Sequence, residues 1–180
     1  MKSQHQSRRD SISKRSGISS SARKPRMEKE PIIIVQELLR SNLYDYNTSR
    51  TSSWIYPDFP KVNLGNESYP RVSVTDYDEP AKKMSVGTTN EMQSVNIDIN
   101  VWIKSGLIYE RDDEQFEGAK LRDAIAREIV DVLRTMQDVM AVSGLHNYER
   151  IGMKSINSEV PEGILRKQIT VRFQRPVITA

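Results

Sequence analysis

The chain has 180 residues, of which 37% are hydrophobic and 28% are charged, and it contains no cysteine. This length suits one ordinary domain with an appendage and leaves no room for a large multi-domain enzyme. The lack of cysteine excludes disulfides, thiol catalysis and cysteine-ligated metal sites.

Residues 1–30 differ from the rest of the chain in composition. They hold nine Lys or Arg against three acids, a net charge of +6, so that residues 31–180 carry −3 within the total of +3. Because this segment has eight Ser and no aromatic residue, it lacks the apolar surface that offsets chain entropy. We predict a basic N-terminal arm that is disordered in isolation. Its candidate contact residues are Arg8, Arg9, Lys14, Arg15, Arg23, Lys24 and Arg26.

Several roles stay open for this arm. It could dock to another protein, neutralise nucleic-acid phosphates without reading their sequence, or keep the protein soluble without a partner. Its Arg- and Ser-rich composition also fits a mitochondrial transit peptide, although it shows no apolar stripe.

The first regular element is a predicted helix over residues 31–43. Pro31 suits the first helical position, and Ile34 and Leu38 recur at helical spacing. The following residues, 44–68, are rich in Ser, Asn and Pro. Within them "SWIYPDFP" predicts an extended loop that packs through its aromatic residues.

Two strands are predicted on either side of a long polar segment. In "YPRVSVTDYD", Val72 and Val74 alternate with polar residues, and the next strand is "SVNIDINVWIK" at 94–104. Between them we predict a loop over residues 78–92. This segment is too long for a tight hairpin turn and too polar for a core.

The strand at 94–104 contains one exception to its alternation. Its apolar face comprises Val95, Ile97, Ile99, Val101 and Ile103. Trp102 lies on the other face, among Asn and Asp. Either the aromatic loop around Trp54, Tyr56 and Phe59 covers it, or it anchors a contact with a neighbouring subunit.

Residues 111–140 predict one long amphipathic helix. The acids Asp112, Asp113 and Glu114 would precede or open it, where they complement the helix dipole. Its apolar stripe comprises Leu121, Ile125, Ile129, Val132, Leu133, Met136 and Met140. Gly144 ends the helix, and alternating residues predict two further strands at 148–157 and 163–174.

Together these elements predict an α+β fold with two layers. An antiparallel-rich sheet of about four strands would be covered on one side by two amphipathic helices. The predicted boundaries are the basic arm at 1–30, the α+β domain at 31–175 and a C-terminal tail at 176–180.

The sequence offers few residues for catalysis. Its two histidines, His5 and His146, cannot build a multi-histidine metal site, and no glycine-rich phosphate loop is present. The acid clusters at 76–79 and 112–114 could hold Mg²⁺ in a nuclease, but we favour their explanation by turn formation and a helix start. We therefore predict no catalytic, cofactor or metal site and no enzyme activity, with a metal-dependent nuclease as a minor alternative.

No membrane segment is expected either. The longest wholly apolar run, Ile32–Val35, has four residues, far fewer than the ~20 of a membrane-spanning helix.

The ordered motifs resemble the tail terminator, or tail-completion, proteins of long-tailed bacteriophages and related viruses. In chain order these motifs are "YPRVSVTDYDE", a polar loop, "MQSVNIDINVWIK", "AKLRDAIAREIVDVL" and "GILRKQITVRFQ". The likeness covers roughly residues 31–175 and rests on element order and hydrophobic pattern.

This resemblance implies a structural virion protein. Such a subunit forms a homo-oligomeric, hexameric ring that caps the tail tube, ends tail polymerisation and provides the surface for head–tail joining. Its implied partners are the tail tube protein and a head-side connector protein, with non-specific contact to DNA passing through the ring as a further option. It would lie in the tail-neck region of the virion after assembly in the host cytoplasm.

By position, the segment 78–92 would project toward the ring lumen or an adjoining ring. The candidate contacts between subunits or rings are Trp102, Asp78, Glu79, Lys82, Lys83 and Met84. The alternatives to a terminator are a head–tail connector (stopper or adaptor), a tail tube subunit, and a small nucleic-acid-binding module that uses the basic arm.

Overall fold

Eight strands and three α-helices are formed by residues 29–57, 65–78, 81–83, 90–156 and 162–178, which this computed structural model describes. The helices are α1 (Pro31–Asn42), α2 (Gly118–Thr135) and α3 (Gln137–Val142). The strands are β1 (Ile55–Tyr56), β2 (Arg71–Asp78), β3 (Ala81–Lys83), β4 (Asn90–Lys104), β5 (Ile108–Arg111), β6 (Glu114–Glu117), β7 (His146–Ile156) and β8 (Ile164–Ile178).

The main sheet has the strand order β1-β2-β4-β8-β7, and β3 pairs with β4 beyond the end of β2. All of its pairings are antiparallel except the short parallel pairing of β1 with β2. Strands β5 and β6 form a separate two-stranded hairpin. The prediction of an α+β fold with an antiparallel-rich sheet is thus confirmed, although short strands raise the strand number above four.

The hydrophobic core lies between the inner face of this sheet and the helices. The alternating apolar residues of β4 face inward as predicted, and register places Ile99 beside Ile169 and Ile97 beside Val171 of β8. Leu121, Ile125 and Leu133 of α2 are fully buried against them. Because each buried large aliphatic side chain stabilises the fold by roughly 1.5–3 kcal/mol, this layer is the main source of stability.

The acid cluster at 112–114 does not start a helix, which corrects our prediction. It forms the turn between β5 and β6, and α2 begins only at Gly118. Asp112 and Asp113 have φ values of 53° and 63°, a left-handed pair that is typical of a two-residue hairpin turn and that Asp tolerates. Tyr109 and Phe116 pair across the hairpin and pack against the core.

The loop predicted over 78–92 is also partly wrong. Residues 81–83 form β3, and β4 already begins at Asn90. Ala81, Lys82 and Lys83 pair with residues 93, 92 and 91 in antiparallel register. Backbone hydrogen bonds alone can hold such a pairing at the end of a sheet, so no apolar alternation marks it in the sequence.

Two element ends also differ from the predicted ones. The long helix is interrupted at Met136, which separates α2 from α3. Strand β8 extends to Ile178, three residues into the predicted C-terminal tail. Gly144 has a φ of 89° after α3, in agreement with its predicted role as helix terminator.

Candidate functional site

The described helices pack on one face of the main sheet, and the other face, here called the outer sheet face, is built of polar side chains. Register places its residues in rows across the strands. One row consists of Arg71, Trp102, Arg166 and Ile156, and the next of Ser73, Asn100, Gln168 and Lys154. An antiparallel sheet with one covered face ordinarily presents polar residues on the other.

Asp98 joins three strands at the centre of the outer sheet face. Its Oδ1 accepts a hydrogen bond from Thr170 Oγ1 at 2.6 Å, and its Oδ2 accepts one from Gln168 Nε2. Its backbone oxygen accepts from Thr75 Oγ1 of β2 at 3.3 Å. Cross-strand polar contacts of this kind stabilise a sheet, so the Asp98 carboxylate has a structural role here.

Trp102 is only 6% exposed, so it is covered within the subunit. It packs with Tyr69 and Ile164, and the partly buried Leu107 lies against this cluster. Trp54, one of the residues expected to cover it, packs instead in the main core on the other side of the sheet. Among the described residues, Tyr69, Ile164 and Leu107 therefore cover Trp102, and Phe59 lies outside the described residues.

Hydrogen bonds also hold Trp102 in the fold. Its Nε1 donates to Ser73 Oγ at 3.2 Å, and Ser73 is fully buried. The Arg166 guanidinium lies 4.7 Å from the Trp102 ring centroid, and its Nε donates to Asn100 Oδ1 at 3.0 Å. Stacking and hydrogen bonding thus join β2, β4 and β8 on the outer sheet face.

Two buried donors on this face have no hydrogen-bond acceptor among the described residues. They are Nδ2 of Asn100, which is fully buried, and Nε of Arg71, which is 8% exposed. The Arg71 guanidinium instead stacks on the Tyr56 ring, 4.2 Å from its centroid. A buried donor without an acceptor costs about 1–3 kcal/mol, so each of these two groups lowers the stability of the fold.

A second largely buried guanidinium, that of Arg50, interacts electrostatically with Arg71. Burial lowers the pKa of Arg50 despite the nearby Asp45, whose Oδ2 lies 2.8 Å from Arg50 Nε. Burial also raises the pKa of Asp45, although the backbone N–H of Asn47 and the charge of Arg50 act against it. Among the described residues, Asp45 thus pairs with Arg50, while the charges of Arg50 and Arg71 repel each other.

At its opposite end the outer sheet face is balanced in charge. Arg172 Nε donates to Asn96 Oδ1 at 3.0 Å, and Arg172 Nη1 lies 3.5 Å from Glu149 Oε2. A cation and an acid are thus paired at this end of the face.

The β5–β6 hairpin is the most acidic element of the described structure. Residues 108–117 contain five acids against Arg111. Arg111 is engaged on the helix side, where its guanidinium lies 4.4 Å from the Tyr44 ring centroid and 3.5 Å from Glu128 Oε2 of α2. The side chain of Asp112 at the tip is 88% exposed.

An open groove of about 770 Å³ lies between α1, α3 and the end of β8. Val139 and Val142, which line it, are 52% and 91% exposed. Lys29 lies at the same groove, and its Nζ contacts Glu37 Oε2 at 2.6 Å. The groove therefore lies where the chain leaves the predicted arm and enters the fold.

The structure describes only some of the candidate contact residues predicted from the sequence, and their role in contacts stays a prediction. Asp78 ends β2 and pairs with Asn96, while Lys82 and Lys83 lie in β3. Glu79, Met84 and the seven arm residues lie outside the described residues, as does Phe59. Trp102 is placed in a core cluster on a different part of the sheet.

Sequence reasoning missed Arg71, Asn100 and the acidic hairpin. The alternation of β4 does place Asn100 beside Trp102 on the polar face, and this was the available signal. Arg71 looked like an ordinary polar residue of β2, because its burial depends on which strand lies beside it. The hairpin was not predicted, because its acidic residues favour a helix start as much as a turn.

In the described part of the chain, no group of three or more His, Asp or Glu side chains is placed to hold a metal ion. None of the helices described is both long and apolar enough to cross a membrane. Comparison of the sequence with protein-family models and with curated proteins gave no match in either case.

Proposed function

We propose that the protein is a structural virion subunit that forms a ring on a viral tail tube, ends tail polymerisation and offers the surface for head–tail joining. On this proposal it is not an enzyme, and it acts in the tail-neck region together with the tail tube protein and a head-side connector.

The observation that carries the proposal is the match between the motif order that resembles tail terminators and the order of elements in the fold. The motifs correspond to β2, β4, α2 and β8, and three of them form adjacent strands of one sheet. A ring of such subunits would form through a head-to-tail contact between two different surfaces of the subunit.

Tail length in a virus that lacks the protein tests this proposal. Tails should then be overlong and of variable length in electron micrographs, and heads should remain unjoined. Restoring the intact gene should restore one tail length. Tails of normal length that merely fail to join heads would contradict termination and favour a stopper or adaptor, and a complete lack of tails would favour a tube subunit.

A nucleic-acid-binding module is the second candidate, and the separation of charge along the chain favours it. The net charge of +6 resides in residues 1–30, whereas the remaining residues carry −3. Phosphate binding by such an arm weakens steeply with salt. DNA binding of the full chain at low salt, measured against a chain that lacks residues 1–30, tests this candidate.

A further inference from the structure

We infer that subunits join through the outer edge of strand β7, on which the base of the β5–β6 hairpin of a second copy docks. This inference rests on the proposed function, because it names the contact between subunits of the proposed ring. The partner is a second copy of this chain, and the contact joins one exposed isoleucine from each side and charges of opposite sign.

Strand β7 is an edge of the main sheet. It has 11 residues and pairs with β8 on one side, and no described strand pairs with its other side. Ile151, in the middle of the strand, is 45% exposed. An edge strand presents unpaired backbone N–H and C=O groups to which another strand can bind. The outer edge of β7 is therefore accessible to a partner.

The exposed charges of β7 indicate what kind of partner fits. Arg150 and Lys154 are exposed, and neither side chain has a hydrogen bond or an ion pair with a described residue. Glu149, the acid of this strand, already lies 3.5 Å from Arg172 of β8. Pairing of two β7 edges would bring like charges together, whereas an acidic strand would be attracted.

The base of the β5–β6 hairpin offers an apolar residue beside an acid. Ile108 of β5 and Glu117 of β6 are opposite each other in register, so their side chains lie on one face of the hairpin. Ile108 is 57% exposed. Glu117 is also exposed, and its side chain makes no hydrogen bond or ion pair within the described part of the chain. This pair is complementary to Ile151 and Lys154.

The two surfaces lie toward opposite edges of the subunit. Tyr109 Oη of the hairpin donates to the backbone oxygen of Tyr69, directly before β2, at 2.6 Å. Strands β4 and β8 lie between β2 and β7, so three strand spacings of about 4.8 Å separate these two strands. The hairpin thus lies beside β2 of its own subunit. A contact between two different surfaces is head-to-tail, and its repetition closes into a ring when the rotation allows it.

Reversal of the two charges tests the contact in the full chain. The hairpin variant is Glu117→Lys, and the edge variant is Lys154→Glu. Each change places like charges opposite each other, so each should raise the subunit dissociation constant at least about tenfold in sedimentation velocity. Wild-type association should also weaken as salt rises.

A chain that carries both reversals separates a direct contact from an indirect effect. It has the net charge of the wild type and restores opposite charges across the contact, so its dissociation constant should return to within about threefold of the wild-type value. Two matched controls, Asp138→Lys on α3 and Arg127→Glu on α2, change the same net charge at other exposed positions. Both controls should leave association unchanged.

The failure of this contact and the failure of the ring are distinguishable. A wild-type protein that stays monomeric at every concentration contradicts the ring and the contact together. A wild-type assembly that both single reversals retain contradicts the contact alone. The contact is also overturned if the controls dissociate equally, or if the double reversal restores nothing. Circular dichroism of each variant ensures that folded subunits are compared.

Discussion

At the scale of single residues, Trp102 has changed from a candidate interface anchor to a structural residue. It is 6% exposed, and its Nε1 donates to the fully buried Ser73. Trp102→Ala should lower the free energy of unfolding by about 3–5 kcal/mol, because a large cavity forms in a packed cluster. Trp102→Phe should cost less, since it keeps an aromatic ring and loses the hydrogen bond.

Urea denaturation followed by circular dichroism measures both changes. Ile108→Ala is a suitable control, because Ile108 is 57% exposed and its truncation should change the free energy of unfolding by less than about 0.5 kcal/mol. If Trp102→Ala is as stable as wild type, Trp102 is not part of the core.

Asp123 provides a second prediction at this scale. Burial opposes its ionisation, but hydrogen bonds from Arg122 and from Lys167, whose Nζ lies 2.9 Å from Asp123 Oδ1, hold its pKa below its ordinary value. A carboxylate with a lowered folded-state pKa stabilises the fold above its unfolded pKa of about 4, and this stabilisation is lost as pH falls through the folded pKa.

Asp123→Asn should therefore lower the unfolding temperature at neutral pH, and the difference from wild type should shrink in acid. Thermal unfolding over a pH series measures this convergence. Asp138→Asn on α3 serves as the control, because Asp138 is exposed and should affect unfolding little at any pH. A difference that stays constant down to the lowest pH would contradict the role of ionised Asp123.

At the scale of elements, the turn of the β5–β6 hairpin depends on left-handed backbone at Asp113, with a φ of 63°. Glycine adopts this conformation without steric cost, whereas a β-branched residue does not. Asp113→Val should therefore lower the free energy of unfolding by roughly 1–2 kcal/mol relative to Asp113→Gly. Equal denaturation midpoints of the two variants would exclude a strained turn.

Sequence patterns predicted some of these elements and missed others. Alternation in β4 and helical spacing in α2 predicted the inner sheet face and the core helix, because burial on one side imposes a period. The sequence of β3 and of the start of β4 shows no alternation of apolar and polar residues, so their pairing was not predictable. Asp112 and Asp113 were misassigned because a helix start and a hairpin turn favour the same residues.

The candidate site was less predictable than the fold. Trp102 drew attention as an exception on a polar face, but its covering residues, Tyr69 and Ile164, come from distant parts of the chain. Burial of Arg71 likewise arises from the packing of β2 beside β4 and from Tyr56 of β1, on whose ring its guanidinium stacks. Such contacts depend on the tertiary arrangement, which the patterns in a single sequence do not reveal.

At the scale of the whole molecule, the basic arm and the folded body should be separable. Core residues begin at Ile34, and the ion pair between Lys29 and Glu37 is exposed and so contributes little to stability. A chain of residues 29–180 should therefore unfold within about 2 °C of the full chain. Its net charge changes from +3 to −3, so binding to DNA at low salt should be lost.

Thermal unfolding and a salt titration of DNA binding measure these two effects separately. A large fall in unfolding temperature would mean that the arm contributes to the folded core, and retained DNA binding would place the phosphate contacts on the body, where the cations of the outer sheet face are the first to test.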